Sequence, residues 1–233
     1  MPSPDSNLQL WTARVGDNSL KIEQDTIQLL SPSERQRLDA LKTNNKKREF
    51  LLSRALMRQA LSQLFDIPPS GWKFVFRPDS TPIISNLPNT TFVSLSHSNG
   101  LIVFATSIFP IGVDIELIKE KENILTLAEA FMSDKEINAL KSDAQEEQCK
   151  NFYRIWCAKE SYYKATPSKQ GSIKFNSISI LEYLEKNEIW TLIEYSMNHF
   201  IFSIVVKNKS IFIHMNNHEL FGNDDNHYPV KSR

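Results

Sequence analysis

Cysteine is nearly missing from this chain: of 233 residues, only Cys149 and Cys157 carry thiols. Two thiols build no disulfide framework, and the helical reading given below puts both on one helix, too far apart along its axis to bridge. Reduced thiols are expected, and with them a cytoplasmic protein. No apolar run approaches the ~18 residues that a membrane span needs. Met1 to Leu10 has no basic stretch followed by an apolar one, so no secretory leader is expected either. A surplus of charge is also lacking. Lys+Arg 27 balance Asp+Glu 27, which removes the whole-molecule field that would steer a protein to nucleic acid or to an anionic membrane. The basic residues lack an interleaved aromatic stacking motif, a second point against nucleic acid as partner. Any electrostatic function must be local.

What is present is ordinary for a folded protein. Apolar residues make up 41% and charged residues 23%, close to globular averages and against a disordered or fibrous chain. The length suits one large domain or two small ones. Positive charge clusters at Lys42, Lys46, Lys47, Arg48, Arg54 and Arg58, while the balancing carboxylates lie mainly in the second half. That asymmetry would suit an anionic ligand held between halves, although a solvated helix end would look the same.

Periodicity predicts a strand over Leu8 to Val15 and a helix over Leu20 to Leu30. Ser31, Pro32 and Glu34 form an N-cap serine, a first-turn proline and the glutamate of a capping box, so a helix should run from Pro32 to about Lys42. A longer helix follows from about Asn45 to Phe65, with Phe50, Met57, Leu61, Leu64 and Phe65 on one stripe. Strands are expected at Trp72 to Phe76, Thr91 to Ser96 and Leu101 to Phe109. The order then recurs: strand Ile111 to Leu117, helix near Ile124 to Ala130, a second capping box at Ser133 and Glu136, and a long helix from about Glu146 to Ala165. Strands near Ile178 to Tyr183, Ile189 to Tyr195, Phe200 to Val206 and Ser210 to His214 complete it. The expected fold is α+β and pseudo-duplicated, each half having helices packed on a mainly antiparallel sheet. The halves are residues 1–110 and 111–220, with a mobile polar tail over 221–233.

Four places carry chemistry. In Ile111 to Leu117 the strand period puts Gly112, Asp114 and Glu116 on one face, where successive side chains stand ~6.5 to 7 Å apart. Two carboxylates could converge there on one cation, with space beside Gly112, and hard oxygen donors suit magnesium. Asp-x-Glu by itself also describes a solvated polar face. On the helix Phe152 to Ala165, Lys159 falls inside the apolar stripe and Glu160 and Lys164 sit at its edge, a departure from binary patterning of the kind expected at functional sites. An exposed Glu-to-Lys pair with a snorkelling Lys159 is the plainer reading. Ser94 to Gly100 ends a strand in a turn that offers hydroxyls, an imidazole and backbone N–H groups to an anion. In the first long helix Arg54 lies within the apolar stripe and should have a buried partner, whereas Arg48 lies on a flank and can face a ligand.

Gly112-Val113-Asp114-Ile115-Glu116 and Trp156-Cys157-Ala158-Lys159-Glu160-Ser161-Tyr162-Tyr163-Lys164-Ala165 together resemble the two signatures of 4′-phosphopantetheinyl transferases, Gly-x-Asp and Trp-x-x-Lys-Glu-Ala/Ser-x-x-Lys. Leu30-Ser31-Pro32, Arg48 within Lys47 to Leu52, Ser94 to His97 and Phe131 to Glu136 agree as well. The likeness is to the larger, monomeric, surfactin-synthetase-activating type, which is similar to a fused dimer of α+β halves with the active site between them. It implies transfer of the phosphopantetheine arm of coenzyme A to a serine of an apo acyl or peptidyl carrier protein, releasing 3′,5′-adenosine bisphosphate. It further implies magnesium held by Asp114, Glu116 and Glu160, coenzyme A phosphates met by Arg37, Arg48, Ser96 and His97, and a catalytic set of Glu160, Lys164 and Lys159. Glu160, Lys164 and a hydroxide on the metal all qualify to take the serine proton. Two departures stand out: Ser80-Thr81-Pro82 replaces the usual Gly-Lys-Pro, removing a lysine contact to phosphate, and Pro167 stands where glycine is common, which bears on the following loop. A noncatalytic carrier-protein or nucleotide-binding module is the rival reading, against which the intact Asp114, Glu116, Glu160 and Lys164 set argues.

Overall fold

Helix starts fall where side-chain oxygens can take the free N–H groups of a first turn. The computed structural model describes residues 8–16, 20–75, 82–120, 123–166, 174–211 and 213–216. In it β1 (Leu8–Arg14) leads to α1 (Leu20–Leu29), α2 (Pro32–Ala40) and α3 (Asn44–Leu64). The Ser31 hydroxyl accepts from the Glu34 N–H at 3.3 Å, and the Ser31 N–H donates back to Glu34 Oε2 at 2.9 Å. Ser133 and Glu136 repeat this reciprocal cap, at 3.4 and 2.8 Å, on α5 (Asp134–Ser142). Such caps are worth ~1 kcal/mol each. Between these helices lie β2 (Phe74–Val75), β3 (Ile83–Ile84), β4 (Phe92–Ser98), β5 (Leu101–Ser107), β6 (Ile111–Leu117) and α4 (Ile124–Glu129). After α5 come α6 (Gln145–Ala165), α7 (Ile180–Lys186), β7 (Thr191–Met197), β8 (Phe200–Val206) and β9 (Ile213–Asn216).

The strands make a four-stranded sheet in the order β4-β5-β1-β9, a three-stranded sheet in the order β6-β8-β7, and the small β2-β3 pair. All pairings are antiparallel except β1 with β9. Alternation along the strands then builds the layers. Leu8, Leu10, Leu101, Val103 and Ala105 of the first sheet share one core with Ile111, Val113, Ile115, Phe200, Ile204 and Val206 of the second. The opposite face of the first sheet, with Trp11, Ile102 and Phe104, packs on Leu52, Leu56 and Leu61 of α3. Ile201 and Val205 on the opposite face of the second sheet pack on Phe152, Ile155 and Tyr162 of α6. A mixed α+β architecture with mainly antiparallel sheets is thus present, and the long helices α3 and α6 each span 21 residues.

Two residues set the register at the centre. Asn99 and Gly100, with φ of 49° and 80°, join β4 to β5 as a two-residue hairpin in the left-handed region that such turns require. Gly112 lets α6 approach β6 closely: a Cβ there would lie 1.8 Å from the Ser161 carbonyl oxygen and 2.7 Å from the Ala165 nitrogen. The space beside Asp114 and Glu116 expected from Gly112 is therefore filled by helix backbone.

Arg54 has the buried partner its position demands. Its guanidinium lies 3.1 Å from Glu34 and Arg58 lies 2.7 Å from the other oxygen of the same carboxylate. Arg54 also stacks over Phe50 and Arg58 over Phe74, at 4.4 and 4.3 Å from the ring centroids. Burial, only partly offset by Glu34, brings the Arg54 pKa down to about 10, so its guanidinium stays charged at neutral pH.

Most expected elements are present within a residue or two, and two differ. Ile178 to Tyr183, expected as a strand, instead leads into α7 from Ile180, because Ile180 and Leu184 recur at i, i+4 and are both buried. β3 was not anticipated. β9, expected within the second half, lies beside β1 in the sheet of the first. Neither cysteine forms a disulfide, and no helix among the described residues is long and apolar enough to cross a membrane. Thr81, Pro167 and the segment 221–233 lie outside the described residues. Gly112→Ala is expected to lower stability by about 3 kcal/mol or more, because backbone rather than a side-chain tip must move. Urea unfolding checks this, and a change below ~1 kcal/mol would show that α6 does not press on β6 as described.

Candidate active site at the seam of two sheets

β6 pairs with β8 along one edge. Its other edge meets the face of β4, and three serine side chains take the place of a strand. Ser94, Ser96 and Ser98 hydroxyls accept the N–H groups of Val113, Ile115 and Leu117 at 2.9, 3.3 and 3.2 Å. The hairpin fixes these alternate serines against the alternate residues Gly112, Asp114 and Glu116.

Two of the serines also reach the carboxylates. Ser96 donates to Asp114 Oδ1 at 2.8 Å, and Ser98 donates to Glu116 Oε2 at 3.0 Å. From α6, Lys164 Nζ donates to the same Asp114 Oδ1 at 2.8 Å, to Ser96 Oγ at 3.2 Å and to the Val113 carbonyl at 3.1 Å. Trp156, also on α6, donates its indole N–H to Glu116 Oε1 at 3.2 Å, its ring lying against Phe131 at 4.3 Å between centroids. Burial followed by the charge of Asp114 raises the Glu116 carboxyl above its ordinary range, and the same two causes raise Glu160. Three acidic groups from β6 and α6 thus feel one another, and Lys164, with its side chain 21% exposed, is the cation among them.

Asp114 Oδ2 is buried and has no hydrogen-bond partner. An orphaned carboxylate oxygen beside two carboxyls whose ionisation is resisted fits the needs of a divalent cation with hard oxygen donors. Among the described residues, no group of three histidine, cysteine, aspartate or glutamate side chains is already drawn together as a metal cage. The chemistry of the donors fits the ion, and Lys164 holds part of the Asp114 carboxylate.

The other sequence-derived candidates are placed differently. His97, with a side chain 49% exposed, has Nδ1 3.5 Å from Glu49. Partial desolvation lowers its pKa against the raising charge of Glu49, and Lys164 and Arg54 lower it further. Glu49 also accepts the Gly100 N–H at 2.6 Å, tying α3 to the hairpin. Arg37 lies exposed on α2 with its charge felt at Arg54. Arg48, expected to face a ligand, instead pairs with Glu23 at 3.0 Å and donates to the Gly16 carbonyl at 2.6 Å. Lys159 is 1% exposed and points elsewhere: Nζ meets Glu136 at 2.9 Å and the Phe175 and Ile178 carbonyls at 2.6 Å each. Glu136 in turn takes the Ile180 N–H at 2.8 Å. Lys159 therefore ties α6, the α5 cap and the segment before α7 together, which accounts for a lysine within an apolar stripe.

Sequence reasoning treated Ser94 and Ser98 as parts of an anion-binding turn and missed their bonds to β6. The available signal was a period of two in serines 94, 96 and 98 matching the period of two in residues 112, 114 and 116. Lys159→Met leaves Glu136 buried without its cation, so a loss of about 3–5 kcal/mol in unfolding free energy is expected. Equilibrium denaturation measures it, and full stability with lost activity would return Lys159 to the chemistry.

Comparison with known proteins finds one recurring family. Residues 110–207 match the 4′-phosphopantetheinyl transferase superfamily. The 4′-phosphopantetheinyl transferase HetI of Nostoc sp. is 28% identical over 196 residues, covering 80% of this chain and 81% of that protein. The 4′-phosphopantetheinyl transferase Sfp of Bacillus subtilis is 30% identical over 151 residues, 65% of this chain and 66% of that protein. The 4′-phosphopantetheinyl transferase ffp of Bacillus subtilis is 35% identical over 130 residues, and there the chain spans only 56% of its relative's length.

Proposed function

Through residues 110–207 this chain belongs to the 4′-phosphopantetheinyl transferase superfamily, and from that premise we propose that it moves the 4′-phosphopantetheine group of coenzyme A onto a serine of an apo acyl or peptidyl carrier protein. The observation that carries this reading is the Asp114, Ser96 and Lys164 cluster, with its orphaned Asp114 oxygen and with Glu116 and Glu160 beside it. The likeness to the surfactin-synthetase-activating type favours a monomer that acts in the cytoplasm.

In the proposed reaction the carrier serine oxygen attacks the β-phosphorus of coenzyme A. A new O–P bond forms, the bond to 3′,5′-adenosine bisphosphate breaks, and the serine proton passes to Glu160. Lys164, fixed by three acceptors, meets charge that develops on the transferred phosphoryl group at little reorganisation cost. His97 and Arg37 are the phosphate contacts, and Arg48 joins them by exchanging Glu23 for phosphate. Ser96 acts from behind Asp114. Asp114, Glu116 and Glu160 would hold magnesium, which when bound supplies a Lewis acid that offsets the pyrophosphate charge. Lys159 supports α6.

Incubation with an apo carrier protein, coenzyme A and magnesium should yield the phosphopantetheine adduct, visible by mass spectrometry. Chelation should abolish it, and full turnover after exhaustive chelation, or no adduct with any carrier class, would remove the proposal. Asp114→Ala and Glu160→Ala should each lower single-turnover rates by ~10² to 10⁴. Because both are proposed to serve one ion, the double variant should be little worse than the poorer single one. Strictly additive losses at saturating magnesium would show that they act separately.

A further inference from the structure

Each oxygen of the Glu116 carboxylate carries a hydrogen bond from a different part of the molecule. Ser98 Oγ, on β4, reaches Oε2 at 3.0 Å, and Trp156 Nε1, on α6, reaches Oε1 at 3.2 Å. Neither donor is free to swing. The Ser98 hydroxyl is oriented by the Leu117 N–H at 3.2 Å, and the indole is wedged by Phe131, whose ring also meets Phe152 at 5.5 Å. Asp114 differs, since both of its partners share Oδ1 and Oδ2 is left without one. A carboxylate held at both oxygens cannot rotate about its last bond without breaking a contact, and it keeps one lone-pair direction on each oxygen.

We propose that Ser98 and Trp156 form a two-point clamp that presents Glu116 to the cation in a single orientation and so selects a small octahedral ion, magnesium, over a larger one. The proposal rests on the functional reading above, in which Glu116 is a cation ligand. Its chemistry is general: magnesium requires near-ideal octahedral geometry at short distances, whereas calcium accepts bidentate carboxylates and irregular shells. Fixing the plane of one ligand favours the first, and freeing it removes that preference. Partners that orient a metal ligand commonly change affinity by 10- to 100-fold when lost. Ser98 and Trp156 are positioning residues in this account, and neither touches the ion.

Ser94 supplies an internal control. It makes the same bond to β6, accepting the Val113 N–H at 2.9 Å, but the residue preceding Val113 is Gly112, which has no carboxylate. Loss of Ser94 therefore reports the seam alone.

The test is Mn2+ binding to the full chain in the presence of coenzyme A, followed by electron paramagnetic resonance, with Mg2+ and Ca2+ as competitors. Wild type should show a Mn2+ site that Asp114→Asn removes. Ser98→Ala should weaken Mg2+ about 10-fold and Ca2+ less than about 3-fold, and Ser98→Thr, which retains the hydroxyl, should restore the ratio. Trp156→Phe keeps a ring against Phe131 without the donor and should shift the ratio the same way, which keeps the test open if Ser98→Ala does not fold. Ser94→Ala should lower thermal stability with the ratio unchanged. An unchanged ratio in the Ser98 and Trp156 variants, with the wild-type site intact, overturns the clamp and leaves the functional reading standing. An equal shift in Ser94→Ala overturns it too, while no Mn2+ site in wild type overturns both.

Discussion

Three backbone N–H groups on the outer edge of β6 have no strand beside them, and leaving such donors buried and unpaired would cost about 1–3 kcal/mol each. The hydroxyls of Ser94, Ser96 and Ser98 take them. A strand in that place would have satisfied the donors equally well, but its backbone would have left nothing to touch Asp114 and Glu116. A hydroxyl accepts and donates at once, so one set of side chains both joins the two sheets and orients two acids. The edge carbonyl of Val113 goes to Lys164, which draws the α6 cation into the same seam. Structure and chemistry share these bonds at the centre of the molecule.

On the far side of the first sheet a different arrangement manages charge. Glu34 caps α2 with one hand and binds two arginines of α3 with both oxygens. Two guanidiniums on one carboxylate leave a positive surplus beneath the surface, and the rings of Phe50 and Phe74 help to hold it. That surplus is felt at His97, where Arg54 lowers the pKa. A chain with no net charge thus builds a positive region from local placement, while the carboxylates gather across the seam.

Much of this was legible beforehand because the signals were local. Both capping boxes, both long helices and the strand Ile111–Leu117 follow from residues within a turn or two of each other. Arg54 within an apolar stripe announced a buried partner, and Lys159 within another announced a departure from pattern. What could not be read was long-range choice. Nothing near Lys159 says that its acceptor is Glu136, and nothing near Arg48 says that Glu23 lies in reach. Ile178 to Tyr183 failed for a related reason: alternation over a few residues suits a strand, and only packing of Ile180 and Leu184 against α6 decides for a helix. Gly112 was noticed for the room it offers, and the helix that takes up that room is fifty residues further along the sequence, on the order of 75 Å of helix length if it were continuous.

The parallel pairing of β9 with β1 sets Ile213 opposite Leu8. A strand from the last part of the sequence therefore completes the sheet that the first part begins. Contacts between such distant positions close the largest loops a chain can have, and they are the slowest to form because their entropy is lost before any bond repays it. During synthesis the first sheet must wait, with the β1 edge open, until nearly every other element has emerged. A fragment that ends near Pro110 would then carry an unpaired β1 edge and the means to add a stray strand.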